Sequence, residues 1–234
     1  MKNTLLYSLT AGLAFGLAST ASAQTTYTGG AADDIAVGTN WSFGLPTAPG
    51  NPGTINSTGT WTPANSTLTD YYVDVVTGGT VDRTSFFSTQ SFDGGIWTIN
   101  GGSFTNTVNL SLGGGVQFTL NTGSITMGGG GRDLNVNGTS VFTINGGTLS
   151  VDDEINLGGG TFTMNGGTTS GASNMGDNFG SNGTVNFNAG SLTAGNWGAN
   201  VATIGARTIN FGSGSGTVDF TGDFEARNTT IDWV

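Results

Sequence analysis

The sequence predicts an all-β protein, a right-handed parallel β-helix (β-solenoid) with about 20–24 residues per coil and an irregular N-terminal cap. Three observations lead there. A phrase of the form aromatic-Thr-aliphatic-Asn-x-Gly recurs as Trp97-Thr98-Ile99-Asn100-Gly101-Gly102, Phe118-Thr119-Leu120-Asn121-Thr122-Gly123, Phe142-Thr143-Ile144-Asn145-Gly146-Gly147 and Phe162-Thr163-Met164-Asn165-Gly166-Gly167. A looser copy is Val185-Asn186-Phe187-Asn188-Ala189-Gly190, a remnant is Ile209-Asn210-Phe211-Gly212, and the starts lie 21, 24, 20, 23 and 24 residues apart. Within each copy the residues alternate with the period of a strand, so that Phe142 and Ile144 face one side and Thr143 the other. Glycine corners then follow at Gly113 to Gly115, Gly128 to Gly131 and Gly158 to Gly160, where positive φ angles and close backbone stacking are needed. An antiparallel β-sandwich or barrel is the competing reading, since its hairpins also use Gly turns.

Residues 1–23 read as a secretory signal peptide. Lys2 supplies a positive start, Leu5 to Leu17 an apolar stretch too short to span a bilayer, and Ala21-Ser22-Ala23 a small-residue cleavage site before Gln24. Cleavage after Ala23 leaves 234 − 23 = 211 residues. The mature chain is expected outside the cell, secreted or on the outer surface, without membrane insertion of its own.

Residues 24–70 are irregular. They hold all four prolines (Pro46, Pro49, Pro52, Pro63) and Trp41 and Trp61, and read as an N-terminal cap of short strands and loops that covers one solenoid end. Residues 71–234 read as solenoid repeats starting at Tyr72-Val73-Asp74-Val75, because Val73 precedes Trp97 by the same 24-residue step. About seven coils are expected. They stack Trp97, Phe118, Phe142 and Phe162 in one inner column, and Ile99, Leu120, Ile144, Met164 and Phe187 in a second. Asn100, Asn121, Asn145, Asn165 and Asn188 stack in a corner ladder whose amides bond along the column. The last segment, Thr229 to Val234, reads as a strand rather than a cap, and the expectation is that the native product continues past Val234.

Composition narrows the chemistry. The chain has 43 Gly, no Cys, no His and 9% charged residues. Without Cys there is no disulfide framework, and without Cys and His the common nucleophile–base pairs and zinc sites are missing. Removing Lys2 with the leader leaves four Arg against fifteen acidic residues, 4 − 15 = −11. That balance argues against nucleic acid and anionic lipid as partners. Arg83, Arg132, Arg207 and Arg227 share no phase of the repeat, so no basic face for an acidic polysaccharide is expected. Asp33-Asp34, in the cap, and Asp152-Asp153-Glu154, which interrupts one coil, are the paired carboxylates, and the second cluster reads as a solvated acidic corner. Gly128-Gly129-Gly130-Gly131-Arg132-Asp133 begins like a calcium-binding nonapeptide, but Asn135 stands where an apolar residue belongs. Calcium near Asp152 is left open, and no catalytic, cofactor-binding or metal-binding residue is assigned.

Two binding readings come from the outward residues. Thr98, Thr119, Thr143 and Thr163 form a column such as ice-binding solenoids use, although those carry two Thr columns on one strand. Trp41, Trp61, Trp197 and Trp233 stand outside the repeat phase and could either stack on glycans or be buried at caps and corners.

The Asn-Gly-Gly repeats from Val73 onward, together with Asn40-Trp41-Ser42-Phe43-Gly44-Leu45-Pro46, resemble the exported Gly/Thr/Asn-rich β-solenoid proteins of bacteria such as Verrucomicrobia and Planctomycetes. That family carries autotransporter-associated strand repeats, and many members end in a PEP-CTERM sorting signal. The resemblance implies a cell-surface or extracellular-matrix role with no active site to carry over. The sorting tail is absent from this sequence, as is an autotransporter β-barrel. The expected function is a structural or adhesin-like solenoid without catalytic activity. A carbohydrate-binding or carbohydrate-active β-helix is the alternative, and ice binding is third. Extracellular polysaccharide and self-association through the solenoid ends are the expected partners.

Overall fold

The computed structural model describes residues 24–49, 51–60, 67–83, 89–175, 183–197, 207–224 and 229–234. The signal-peptide reading, Trp61, Pro63 and Arg227 lie outside them. The described chain is a β-solenoid in which every ladder between strands is parallel. Each coil passes through three sheets, which we number in the order the chain meets them.

The first sheet stacks Thr25–Thr26, Gly53–Ile55, Tyr72–Val76, the first half of Ile96–Asn106, the first half of Gln117–Met127, Val141–Ile144, Thr161–Met164, Thr184–Phe187, Arg207–Phe211 and Thr229–Trp233. From Tyr72–Val76 to Thr229–Trp233 there are eight rungs and hence seven turns. At one strand spacing of roughly 4.8 Å per turn, that stretch is about 34 Å long. The second sheet begins at Thr58–Thr60 and Thr80–Arg83 and includes Thr148–Val151 and Gly216–Phe220. The third runs through Thr67–Thr69, Thr89–Asp93, Asn109–Gly113, Leu134–Asn137 and Glu154–Gly158. Two strands, Ile96–Asn106 and Gln117–Met127, pass from the first sheet into the second without a break.

The stack begins earlier than the sequence pattern does. Gly53–Ile55, Thr58–Thr60 and Thr67–Thr69 pair in register with the next coil, so these three strands already belong to the solenoid. Gly53 stands at the aromatic position there, so the repeat phrase is hidden although Thr54, Ile55 and Asn56 fill its next three places. The covering work is done below these strands. Tyr27, Ile35 and Trp41 are buried there, with Tyr27 and Trp41 packed edge to face at 5.4 Å and the Trp41 indole donating to the Ile35 carbonyl at 2.8 Å.

The core is built from the inward columns. Trp97, Phe118, Phe142 and Phe162 are aligned in register and fully buried. Their rings stack nearly parallel, with centroids 6.2, 5.4 and 5.7 Å apart. The column then continues through Val185 and Ile209. Ile99, Leu120, Ile144, Met164 and Phe187 form the second inner column, which runs on to Phe211 and Trp233. Trp233 is therefore in phase with the repeat, contrary to the sequence reading, which missed it because the Asn-x-Gly signature has faded by that coil. The third sheet supplies Phe92, Leu112, Val136 and Leu157 in one register.

The glycine two places after Asn121, Asn145, Asn165 and Asn188 has a steric reason. At Gly147 φ is +77°, and a Cβ would meet the Gly123 carbonyl oxygen one coil below at 2.5 Å. At Gly167 the same applies, with φ +73° and the Gly147 oxygen at 2.7 Å. Only glycine lets the corner turn left-handed while two coils remain one strand spacing apart.

Candidate functional site

Side-chain ladders dominate the outer surface. Asn121 donates its amide to the Asn100 oxygen at 2.7 Å, Asn145 to Asn121 at 2.7 Å, Asn165 to Asn145 at 2.8 Å and Asn188 to Asn165 at 2.7 Å. Asn100 in turn donates to Asp74 Oδ1 at 2.7 Å. A carboxylate only accepts, so Asp74 fixes the direction of every amide above it. A second ladder is built alike: Asn174 donates to Glu154 at 3.1 Å, Asn196 to Asn174 at 2.8 Å, and the Asp223 backbone N–H donates into Asn196 Oδ1 at 2.7 Å.

The Thr column is present where the sequence puts it: Thr98, Thr119, Thr143 and Thr163 are in register on the outer face of the first sheet. Beyond it Asn186 donates to Thr163 at 3.1 Å and Asn210 to Asn186 at 2.7 Å. The second sheet carries a feature that the sequence reading did not find. Ser103 and Thr105 align with Ser124 and Thr126, these with Thr148 and Ser150, and these with Thr168 and Ser170. Thr168 is in turn in register with Ser191. The result is two parallel hydroxyl columns on one strand face, about 4.8 Å apart along the stack and roughly 6.6 Å apart across it. The signal was in the sequence. Ser103, Ser124, Thr148, Thr168 and Ser191 are spaced by 21, 24, 20 and 23 residues, the steps of the main repeat.

The charged candidates disperse. Arg83 and Arg207 are buried, 1% and 5% exposed, and the Arg207 guanidinium sits 6.0 Å from the Trp197 ring centre. Asp152 is exposed and accepts from the Gly130 backbone N–H at 2.5 Å, while Asp153 accepts from the Ser173 hydroxyl at 2.5 Å. Among the described residues no three acidic side chains converge as a metal site would require. Burial, with Glu154 and Asp153 nearby, holds the Asp133 carboxyl above its ordinary value. Trp41 and Trp197 are buried, which removes them as glycan platforms, whereas Trp233 is 81% exposed.

Among the described residues, two concave regions lie beside these ladders. One lies at the C-terminal end of the stack, about 380 Å³, lined by Phe187, Phe211, Val218, Phe220, Phe224 and Trp233. The other is a cleft of about 220 Å³ on the outer face of the first sheet, between Pro49 and Pro52 of the cap and Tyr72, Asp74, Ile96 and Thr98. Tyr72 and Asp74 both face outward because they are two apart on Tyr72–Val76, and Ile96 and Thr98 align beside them one coil above. Tyr72 is anchored by its backbone N–H, which donates to the Pro46 carbonyl at 2.8 Å. Burial pushes the Asp74 carboxyl up, against the lowering effect of its bond from Asn100.

Comparison with protein-family models, with curated proteins and with solved structures gives no match.

Proposed function

We propose that the chain is an exported structural β-solenoid, a surface or matrix rod that presents side-chain ladders and performs no catalysis. The observation that carries this reading is the use of outward positions. Asn, Thr and Ser stand in register at outward positions over successive coils, with the Asn side chains bonded to their own copies in the coils above and below. Such a surface is polar and repetitive, which suits a stiff spacer or a multivalent adhesive face. The low content of basic residues fits an extracellular setting rather than one rich in nucleic acid. Expression of the full chain with its own leader in a Gram-negative host provides the test. The exported product should begin at Gln24 and leave the cytosol. A cytosolic product that still begins at Met1 would overturn the reading.

A second reading, ice binding, is favoured by the double hydroxyl column on the second sheet. Its expected outcome is thermal hysteresis at millimolar protein that is lost on Thr126→Tyr, a change at an exposed position in the middle of the array. Absence of hysteresis and of ice-crystal shaping sets this reading aside without touching the first.

A further inference from the structure

We infer that the cleft between the N-terminal cap and the first sheet binds one ring of a neutral polysaccharide. Its walls are apolar and its floor carries two polar groups. Pro49, Pro52 and Ile96, the last 41% exposed, flank the Asp74 carboxylate and the Thr98 hydroxyl, and Tyr72 forms one end. A pyranose matches that arrangement, since its C–H faces are apolar and its rim carries hydroxyl donors. Asp74 is held in place: one oxygen accepts from Asn100 Nδ2 at 2.7 Å, which fixes the carboxylate plane at the foot of the Asn ladder. A positioned acceptor beside an apolar wall gives both orientation and affinity.

Size and charge restrict the ligand further. At about 220 Å³ the cleft falls below the roughly 300–1,000 Å³ of sites that enclose drug-sized molecules, so it takes a single ring of a longer chain. It is open upward along the sheet, where Thr119, Thr143 and Thr163 continue the Thr98 column in steps of about 4.8 Å. An extended peptide repeats its side-chain direction every 6.6–6.8 Å or so, which falls out of step with the rungs within two residues. A linear glycan that advances by about one ring per rung keeps pace with them. An anionic polymer is repelled by Asp74 and by the net charge of −10 on the full sequence.

This inference goes beyond the display reading, which stands whether or not a sugar binds. The test is isothermal titration of the whole chain with cellohexaose, xylohexaose and mannohexaose, and with hexamers of chitosan and polygalacturonate as cationic and anionic probes. At least one neutral hexaose should bind. Ile96→Arg, which fills the cleft from an exposed position, and Asp74→Asn should each weaken that binding by about tenfold or more. Unchanged circular dichroism and melting of Ile96→Arg show that the fold is intact. The inference is overturned if no neutral hexaose binds at millimolar concentration, if binding survives both substitutions, or if only a charged hexamer binds.

Discussion

Asp74 and Asn145 show how single residues set the behaviour of the ladders. The Asp74 carboxyl is pushed up by burial, so the folded chain holds its proton more tightly than the unfolded chain does. Stability therefore rises as the pH falls through the raised folded value toward the ordinary 3.8, and the deficit is fully present at neutral pH. Asp74→Asn keeps an oxygen for Asn100 and removes the titration. It should be at least as stable as the wild type at pH 7, with its advantage shrinking as the pH approaches 4. Urea melts at both pH values check this, with Asp133, also pushed up, retaining part of the slope in the variant. Asn145 lies mid-ladder and is exposed, so water replaces part of what its loss removes. Asn145→Ala should cost about 0.5–1.5 kcal/mol in chemical denaturation, and Asn145→Asp, which still accepts from Asn165 but sets a carboxylate oxygen against the Asn121 oxygen, should cost at least as much. The Asn ladder was legible in the sequence because each Asn sits at a fixed offset from an aromatic residue. The role of Asp74 was not, since nothing in a linear reading says that a carboxylate on one coil lies under an amide 26 residues later.

At the scale of the coil, the corner glycines and the inner columns impose the fold together. Gly147→Ala places a Cβ against the Gly123 carbonyl at a left-handed φ. We expect a loss of about 1–3 kcal/mol from the backbone alone, read as a lowered melting temperature, with a further loss from the overlap. Gly138, also left-handed at φ +60° but with open space around its Cβ, is the control and should lose less when changed to Ala. The aromatic and aliphatic columns were readable from alternation and spacing, because inward positions tolerate only apolar side chains. The double hydroxyl column escaped because Ser and Thr are common on any exposed strand. Only the shared 21-, 24-, 20- and 23-residue steps distinguish an array from ordinary surface. The Tyr72 and Asp74 cleft was beyond the sequence for another reason. One side of it comes from Pro49 and Pro52, whose return over the first sheet is a matter of tertiary packing.

The two ends of the described stack differ. Tyr27, Ile35 and Trp41 cover the N-terminal end, whereas Ile231, Trp233 and Val234 are 39%, 81% and 79% exposed at the other. Trp233 stacks on Phe211 at 4.7 Å with one face open. Iodide should therefore quench a red-shifted part of the tryptophan emission of the 234-residue chain, and Trp233→Phe should remove that part. Equal quenching in the variant would place Trp233 indoors. Such an apolar end also offers the surface through which self-association would act, and a Trp233 signal that shifts with protein concentration would report it. The one-way ladders give the rod a further property. Each amide contributes a dipole of the same sense, so the column is electrically polarised along the axis, with its positive pole resting on the Asp74 carboxylate. No single amide can reverse without setting two oxygens, or two NH2 groups, against each other. The rod thus carries a built-in direction that a field or a charged neighbour at either pole can sense, and that a reversal can travel along only as a moving defect.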